Sequence, residues 1–349
     1  MRKMATVRKI SLIESIPAAD KICVYKIDGW SVVDTIGKYQ VNDLVVFAEI
    51  DSFIPNSIAP FLTSPDKEPK EYFGIKGERL RSKRLRGIIS QGLLLSIEDI
   101  DVIVPIEEDC GQDYYFNSWR WQEGDDVSEL LGIVKYEPPI PAQLAGQVKG
   151  NFPSQCPKTD QERIQNINLD DYKGEYEVTE KLEGSSCTII LDTGGNFEVC
   201  SRNLSLKEDE NNSFWKAALH YGIREKMQEL NLYGLALQGE LVGEGIQGNI
   251  YNIKGVDYYI YDIYDTKSSK YLSSEERTQI TEKLGLKHVP ILWYSYDLIH
   301  TKESLLNQAE DFSKLNPKQQ REGIVFKNIN DPSKSFKAIS NKYLISQKD

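Results

Sequence analysis

Apolar and polar positions in the first third of the chain form short runs that are rich in β-branched and aromatic residues. Residues 22–27 and 44–50 are two such runs, and residues 88–95 are a third, with Gly92 where a strand can bend. Turn residues separate the runs from one another. Several short strands of this kind predict a small β-sandwich or β-barrel.

The rest of the chain mixes strand patterns with one helical pattern. Apolar residues recur at roughly helical spacing through residues 212–230, which predicts a helix. Strand-like runs occupy residues 175–180, 187–191, 197–201 and 258–264. This mixture predicts an α+β domain with an antiparallel sheet.

A proline-rich segment, Pro138-Pro139-Ile140-Pro141, interrupts both patterns. Proline fixes its own backbone and pushes the residue before it towards an extended conformation. A stretch with several glycines follows at residues 145–150. We therefore predict a first domain over residues 1–137, a linker over residues 138–156 and a second domain over residues 157–349.

The overall charge is acidic, with 42 Lys and Arg against 53 Asp and Glu in 349 residues and a net charge of −11. A protein that binds nucleic acid statically usually presents a basic surface, so this balance counts against such a role. It does not exclude an enzyme with a local basic groove, because phosphates respond to the local field more than to the total charge.

The cysteines and histidines give no sign of a disulfide framework or of structural zinc. The five cysteines form no CxxC pair, and the three histidines have no potential ligand at metal-site spacing. No apolar run approaches the roughly 20 residues of a membrane span, and the N-terminus lacks the apolar stretch of a signal peptide. We expect a reduced, intracellular protein without membrane contact, cytoplasmic by default, with nuclear and organellar locations left open.

The densest basic cluster of this acidic chain lies at residues 76–87. It is either a solvated loop or an edge that contacts nucleic-acid phosphates. Because its charge opposes the overall trend, we favour the second interpretation. The residues expected to contact nucleic acid are Arg81, Lys83, Arg84 and Arg86.

The motif Lys181-Leu182-Glu183-Gly184 lies between two predicted strands. Taken alone, Lys-x-x-Gly is a weak signal, since an exposed turn lysine explains it equally well. Further segments add two arginines, lysines and carboxylates, most of them beside predicted strands: Ser201-Arg202-Asn203, Gly239-Glu240, residues 321–327 and residues 335–342.

Such a set of lysines and carboxylates suits a polyphosphate that is bound together with a divalent metal. Lysine binds phosphate as a point charge, and Mg²⁺ is held by one or two carboxylates while it keeps several waters. The chain has no Walker-type loop and no G-x-G-x-x-G after a strand. Side chains, rather than a glycine-rich loop, are therefore expected to hold the phosphates.

The order of these segments resembles motifs I, Ia, III, IIIa, IV and V of the covalent nucleotidyltransferases, which are RNA ligases, DNA ligases and RNA capping enzymes. Within them the chain is most similar to the nick-sealing ATP-dependent RNA ligases with an N-terminal OB domain, RNA ligase family 5. The likeness covers nearly the whole chain. The phrases that carry it are residues 86–92, 131–139, 157–163 and 336–341.

The resemblance implies an OB-like β-barrel followed by an antiparallel-sheet nucleotidyltransferase (adenylation) domain. It also implies that Lys181 attacks the α-phosphorus of ATP to form lysyl-AMP, that AMP passes to a 5′-phosphate end, and that a 3′-hydroxyl then displaces AMP. A free lysine is protonated at neutral pH and must lose that proton to attack. We expect Mg²⁺ or Mn²⁺, with Lys327 or Lys337, to favour the neutral amine.

The resemblance assigns the remaining site residues position by position. Glu183, Glu322 and Glu240 are the expected metal ligands, with ribose contact as another role for Glu240. The family often has Asp at the position of Glu183, so the coordination shell here is expected to differ. The expected nucleotide-binding residues are Arg163, Glu180, Gly184, Arg202, Glu240, Tyr261, Lys327 and Lys337.

Two of these assignments carry alternatives. Tyr261 is expected to stack on the base, with ordinary core packing as the other interpretation. In motif V some relatives have a second lysine, where this chain has Ile339, so Lys337 is carried over firmly and Lys342 only weakly.

Three other functions stay open at this point: a DNA ligase, a GTP-dependent RNA guanylyltransferase, and a non-catalytic OB-fold adaptor that binds nucleic acid. DNA ligases and capping enzymes carry an OB domain after motif V, whereas this sequence ends shortly after Lys342. We therefore expect an RNA ligase that acts on nicked duplexes or broken ends, most simply as a monomer.

Overall fold

The computed structural model describes residues 3–103, 121–137 and 146–346. The chain divides into two compact units, Met1–Pro139 and Ile140–Asp349. Within the predicted linker, residues 138–145 lie outside the described residues, as does Cys110 of the first unit. Val148–Asn151, also inside the predicted linker, form a strand that pairs with Leu204–Leu206 in the second unit.

The described residues of the first unit form short antiparallel strands and one helix. The hydrogen-bonded sheets have the strand orders β1-β5-β11, β2-β3-β4 and β12-β6-β8-β7, beside the hairpin β9-β10. Among the described residues these sheets do not join into one ring, so the expected barrel is not closed. The elements are β1 Ala5–Lys9, β2 Leu12–Ser15, β3 Ile22–Ile27, β4 Trp30–Thr35, β5 Leu44–Ala48, β6 Ser52–Pro55, β7 Lys70–Tyr72, β8 Ile75–Arg79, β9 Lys83–Leu85, β10 Ile88–Ser90, β11 Leu93–Ser96, α1 Ile97–Ile103 and β12 Val134–Lys135, with a 3₁₀ turn at Pro60–Leu62.

Strand β5 lies between two hydrophobic cores of the first unit. Val46 and Ala48 belong to one core, whereas Val45 and Phe47 belong to the other. Side chains alternate along a strand, so β5 buries both faces and is apolar at nearly every position. This explains why the sequence pattern of residues 44–50 is continuous rather than alternating.

The predicted bend at Gly92 is confirmed. The run 88–95 is divided into β10 and β11, and Gly92 has a φ of +124°. A Cβ atom at this position would lie 2.2 Å from the Phe47 ring. Only glycine allows the chain to turn this closely against the core.

The second unit contains an eight-stranded sheet and a five-stranded sheet. The first has the order β13-β18-β17-β16-β19-β20-β21, with β22 paired to β20, and the second has the order β14-β25-β24-β15-β23. All pairs are antiparallel except β14–β25 and β20–β22, which confirms the predicted α+β class. The strands are β13 Val148–Asn151, β14 Glu162–Arg163, β15 Glu175–Lys181, β16 Ser185–Leu191, β17 Phe197–Cys200, β18 Leu204–Leu206, β19 Leu235–Gly243, β20 Val256–Asp265, β21 Lys270–Tyr271, β22 Lys287–His288, β23 Ile291–Asp297, β24 Gly323–Asn328 and β25 Ser335–Ile339.

The helices of this unit are short. The prediction of one helix over residues 212–230 is wrong in one respect. The structure has two helices there, separated at Gly222, where φ is +58°. Both helices pack on the same core through Trp215 and Met227, so the apolar spacing continues across the break. The helices are α2 Ser213–His220, α3 Ile223–Glu229, α4 Ser274–Lys283, α5 Lys302–Ala309 and α6 Asn341–Ser346, with 3₁₀ turns at Ile164–Asn166 and Leu169–Tyr172.

Each sheet of the second unit has one apolar face. Tyr176 and Phe326 of the five-stranded sheet pack in one core with Leu305 of α5. Ile189 and Leu237 of the eight-stranded sheet pack in another core with α2 and α3. The alternation of side chains turns the other residues to the opposite face, which in the eight-stranded sheet carries Ser186 and Glu240 beside two smaller apolar clusters.

Two further observations concern the described residues as a whole. None of their helices is both long enough and apolar enough to span a membrane. The cysteines among them, Cys23, Cys156, Cys187 and Cys200, are buried free thiols.

Candidate active site

The polar face of the five-stranded sheet carries four cationic side chains. Lys181 ends β15 and alternates with the apolar-face residues of that strand. Lys327 on β24 lies opposite Glu177, four residues before Lys181 on β15. Lys337 on β25 lies opposite Val325, and Arg163 on β14 lies opposite Lys337. These register positions bring four predicted site residues, Arg163, Lys181, Lys327 and Lys337, to one face.

The same register orders the lysines along the sheet. Lys337 lies level with Thr179, two residues from Lys181, whereas Lys327 lies level with Glu177, four residues away. At about 3.3 Å per residue these offsets are roughly 7 Å and 13 Å. Along the strand direction, Lys337 is therefore closer to Lys181 than Lys327 is.

The polar face of the eight-stranded sheet supplies carboxylate and hydroxyl groups. Ser186 on β16 lies opposite Glu240 on β19. Burial raises the pKa of the Glu240 carboxyl to about 8, while the positive charge of Lys181 opposes this rise and Glu322 adds to it. Because Lys181 and Glu322 influence this carboxyl, the two polar faces meet here.

Lys181 forms an ion pair with Glu322, with 2.6 Å between Nζ and Oε1. Glu322 comes directly before β24, where Gly323 lies opposite Lys181. A Cβ atom on Gly323 would lie 2.2 Å from the carbonyl oxygen of Ala338, so glycine is required for this close approach. An ammonium group has no free electron pair, so the ion pair represents a resting arrangement that must open before Lys181 can attack.

Glu183 lies beside this ion pair and is held by two buried tyrosines. Its backbone N–H donates to the hydroxyl of Tyr251 at 2.6 Å, and its carboxylate accepts a hydrogen bond from Tyr343. Burial raises the pKa of the Glu183 carboxyl, and the charge of Glu322 raises it further. Its Oε2 atom is buried without a hydrogen-bond partner. A cation placed between the two carboxylates would compensate both groups.

The expected metal ligands do not form a preformed cage. Among the described residues there is no group of three or more His, Cys, Asp and Glu side chains that could hold a metal ion. Glu183, Glu322 and Glu240 are nevertheless coupled through their charges. The donor set thus fits a cation that takes one or two carboxylate oxygens and keeps its own waters.

Gly184 ends the lysine motif, where the chain approaches β19 closely before β16 begins. A Cβ atom at this position would lie 2.3 Å from the carbonyl oxygen of Leu241 and 2.8 Å from Cγ of Glu240. The glycine that the motif predicts is therefore required by packing against the strand that carries Glu240.

A β-bulge places Tyr261. Gln238 pairs with Asp262 and Gly239 with Ile260, so Tyr261 is the extra residue of β20. Its hydroxyl lies 2.9 Å from Oγ1 of Thr159 and 3.2 Å from Oγ of Ser186. A bulge re-aims side chains and often occurs beside active sites. Here it brings Tyr261 onto the polar face beside Ser186.

Lys327 is buried between the two sheets. Its Nζ donates to the carbonyl oxygen of Tyr261 at 2.8 Å and to the carboxylate of Asp262 at 2.5 Å. Burial lowers the pKa of Lys327, and the neighbouring Asp262 opposes that shift. The bulge and the lysine are thus directly connected, which sequence reasoning did not anticipate.

Glu180 lies away from the cationic face. It alternates with Lys181, and its carboxylate accepts a hydrogen bond from the backbone N–H of Lys314 at 2.7 Å. Burial raises the pKa of this carboxyl. The structure therefore does not bring the predicted nucleotide-binding side chain of Glu180 to the face that carries Lys181.

Arg202 lies at the exposed edge of the site. Its guanidinium pairs with both carboxylate oxygens of Asp160, at 2.6 and 2.8 Å. Its charge acts on Glu240 and opposes the rise of that carboxyl's pKa. The predicted nucleotide-binding arginine is thus near the site but is held by an aspartate in this structure.

The basic cluster of the first unit runs from β8 into a β-hairpin. Strands β9 and β10 pair directly, and the two residues between them, Arg86 and Gly87, both have positive φ, at 47° and 86°. This geometry is that of a two-residue type I′ turn. The four basic residues predicted to contact nucleic acid are exposed: Arg81 lies just before this hairpin, and Lys83, Arg84 and Arg86 lie on it.

Comparison with known proteins decides between the possible functions. A profile of the RNA ligase family matches residues 174–339, and a profile of an OB-fold domain matches residues 4–97. The structure of a mutant RNA ligase from Naegleria gruberi with AMP and Mn is 42% identical, covers 98% of each chain and has a TM-score of 0.85. This chain belongs to the RNA ligase family. The predicted RNA ligase with an N-terminal OB domain is therefore confirmed.

Other structures of the Naegleria gruberi RNA ligase are similar to the present chain to the same extent. One mutant with ATP and Mn is 41% identical over 98% of each chain, with a TM-score of 0.85. The protein with PPi is 41% identical over 99% of this ligase and 98% of that chain, with a TM-score of 0.84. A comparison with curated protein sequences gave no match.

Proposed function

We propose that this RNA ligase uses ATP to form a covalent AMP on Lys181, passes the AMP to a 5′-phosphate end and then seals that end to a 3′-hydroxyl. The observation that carries the proposal is the Lys181–Glu322 ion pair at the meeting point of the two polar faces. A reactive amine, a carboxylate pair and further lysines on one face form the set that nucleotide transfer requires.

In the first step, the bond between Nζ of Lys181 and the α-phosphorus forms while the bond to pyrophosphate breaks. Lys337 and Arg163 share the face with Lys181 and place positive charge where negative charge develops on the phosphates. Glu322 releases the ammonium group of Lys181, which gives up its proton to solvent before the neutral amine attacks. A divalent metal held by Glu183 and Glu322 supplies further positive charge at the phosphate when it is bound.

The relatives support this choice of co-substrate and metal. Structures of the Naegleria gruberi RNA ligase hold ATP and Mn, AMP and Mn, or PPi. ATP is the substrate of the proposed first step, and AMP and PPi are the two parts into which that step divides it. By this likeness ATP is the co-substrate here, and Mn²⁺ or Mg²⁺ is the metal.

The RNA is proposed to be a nicked duplex or a broken strand, handled by a monomer in a reducing, cytoplasmic environment. The exposed basic hairpin β9-β10 offers cations to the phosphate backbone. In an acidic chain, such a local cluster defines the nucleic-acid contact better than the total charge does.

The proposal is tested by incubating the purified protein separately with ATP and GTP, each labelled at the α-phosphorus. We expect label that stays covalently on the denatured protein with ATP and none with GTP. The labelled protein is then given nicks that end in an RNA or a DNA 3′-hydroxyl, and the RNA end is expected to be sealed faster. If ATP gave no adduct, the non-catalytic adaptor would be the better description, and label from GTP would indicate a capping enzyme.

Removing the charges of Arg81, Arg84 and Arg86 is expected to weaken sealing without slowing the first step. The hairpin lies in the OB-fold unit, whereas the amine and the carboxylates lie in the second unit. We expect a triple glutamine variant to bind nicked RNA about tenfold or more weakly, with a smaller dependence of binding on salt. Protein–AMP formation is measured in parallel, and a loss there would contradict the division of roles.

A further inference from the structure

A buried cluster of four charges connects the two sheets behind the site. Its members are Glu177 on β15, Lys327 on β24, Asp262 on β20 and Arg277 on α4. Arg277 is completely buried and pairs with Glu177, while one of its nitrogens lies 3.8 Å from Asp262. Two acids and two bases balance each other in this cluster, as buried charges require.

Arg277 connects to more of the structure than an ordinary ion pair does. Its Nε donates to Nε2 of His288 at 2.9 Å, and another of its nitrogens donates to the hydroxyl of Ser274 at 3.3 Å. The ring nitrogen Nδ1 of His288 lies 2.6 Å from the carbonyl oxygen of Val289. Burial lowers the pKa of His288 to about 4. The histidine is therefore a neutral acceptor that orients the guanidinium and adds no charge.

The cluster ends on the bulged residue. Asp262 holds the ammonium group of Lys327, and that ammonium also donates to the carbonyl oxygen of Tyr261. An extra residue in a bulge is left without its ladder partner, so its backbone needs another anchor. Lys327 provides this anchor, and its neighbours in the cluster fix Lys327.

We propose that Arg277 and Glu177 are positioning residues for base recognition, acting through Asp262 and Lys327 on the ring of Tyr261. The inference deepens the proposed function and rests on Tyr261 contacting the base of ATP. Lys327 then contributes to nucleotide binding by holding the backbone carbonyl of Tyr261. It lies level with Glu177, four residues along β15 from Lys181. The cluster thus serves the base, while Lys337 and Arg163 serve the phosphates.

The test measures binding of two ligands to the full-length chain carrying Lys181→Ala, so that no reaction follows. ATP offers both base and phosphates, whereas inorganic tripolyphosphate offers phosphates alone. We expect Glu177→Gln to weaken ATP binding about tenfold, in line with the loss of one well-placed base–aromatic contact. Binding of tripolyphosphate is expected to stay within about twofold, because the phosphate-binding cations are untouched.

A coupling measurement separates positioning from general damage. In a chain that also carries Tyr261→Leu, Glu177→Gln is expected to have no further effect on ATP binding. Ser274→Ala removes a hydrogen bond from Glu177 without unpairing a charge and serves where Glu177→Gln folds poorly. Lys287→Gln is the matched control. It breaks an ion pair between Lys287 on β22 and Asp257 on β20, the strands that also carry His288 and Asp262.

Several outcomes would overturn the inference. Equal weakening of ATP and tripolyphosphate would mean that the cluster serves the phosphates or the fold as a whole. An effect of Glu177→Gln that persists with Tyr261→Leu, or no effect on ATP at all, would remove Tyr261 from the explanation. Failure of the proposed function is recognised separately, because it appears as absence of the adduct in the wild-type chain.

Discussion

Replacement of Lys181 by alanine is expected to abolish the protein–AMP adduct, with its rate of formation falling by a factor of about a thousand or more. Alanine removes the nitrogen that forms the bond to the α-phosphorus, and water or a neighbouring side chain cannot take its place in line with the leaving pyrophosphate. The measurement is the label retained on acid-precipitated protein after incubation with α-labelled ATP.

Two further variants make this result specific. Lys181→Arg keeps a positive charge beside Glu322 but replaces the amine by a guanidinium that stays protonated, so it is also expected to form no adduct. Lys173→Ala removes an exposed lysine that pairs with Asp170 at 3.0 Å in the same unit, and this variant should match the wild type. An adduct that persisted in Lys181→Ala would place the nucleophile elsewhere.

Glu322→Gln is expected to slow formation of the adduct roughly a hundredfold. The amide keeps the shape of the side chain but loses the charge that pairs with Lys181 at 2.6 Å and that is proposed to hold the metal with Glu183. We also expect the Mn²⁺ concentration that gives half the maximal rate to increase, because a neutral amide is a weaker ligand. Adduct formation is therefore measured across a series of Mn²⁺ concentrations.

The matched control is Glu310→Gln. Glu310 pairs with Lys342 at 3.3 Å in the same unit, and the lysine of this pair is largely exposed. Surface ion pairs contribute little, so this variant should retain both rate and metal dependence. If Glu322→Gln lowered the rate with no change in metal dependence, Glu322 would act only as the partner of Lys181.

The sequence predicted the family and the fold because local patterns and tertiary structure agree at most positions. The β-branched run at residues 22–27 is a strand with those bounds, and the bend at Gly92 lies where a glycine is required. The helix over residues 212–230 was predicted as continuous because periodicity reports which face is apolar. It does not report that two helices share one core across the break at Gly222.

The residues named from the lysine motifs share one sheet face because strand register brings distant segments together. The buried cluster around Arg277 was missed, since a charged residue on a short helix has the sequence signature of a solvated surface. Its partners lie up to 100 residues away in sequence. Glu180 shows the limit of sequence proximity, because a carboxylate next to Lys181 in sequence alternates onto the other face of the strand.

The bulge at Tyr261 did leave a sequence signal that pattern analysis could have used. The core-facing residues of β20 are Tyr258, Ile260 and Ile263, so the spacing of two is followed by a spacing of three. A regular strand keeps a period of two, and a step of three indicates an inserted residue.

The contact between Lys327 and the backbone of Tyr261 has a consequence for how this strand tolerates change. Every amino acid carries the carbonyl oxygen, so exchanging the side chain at position 261 leaves that anchor in place. Deleting one residue before Tyr261 would instead restore the regular two-residue period of β20, and the ring at position 261 would then face the core. The same deletion would displace the carbonyl oxygen that accepts the hydrogen bond from Lys327. Exchange of the side chain at position 261 therefore leaves this backbone contact intact, whereas a change in the length of β20 would remove it.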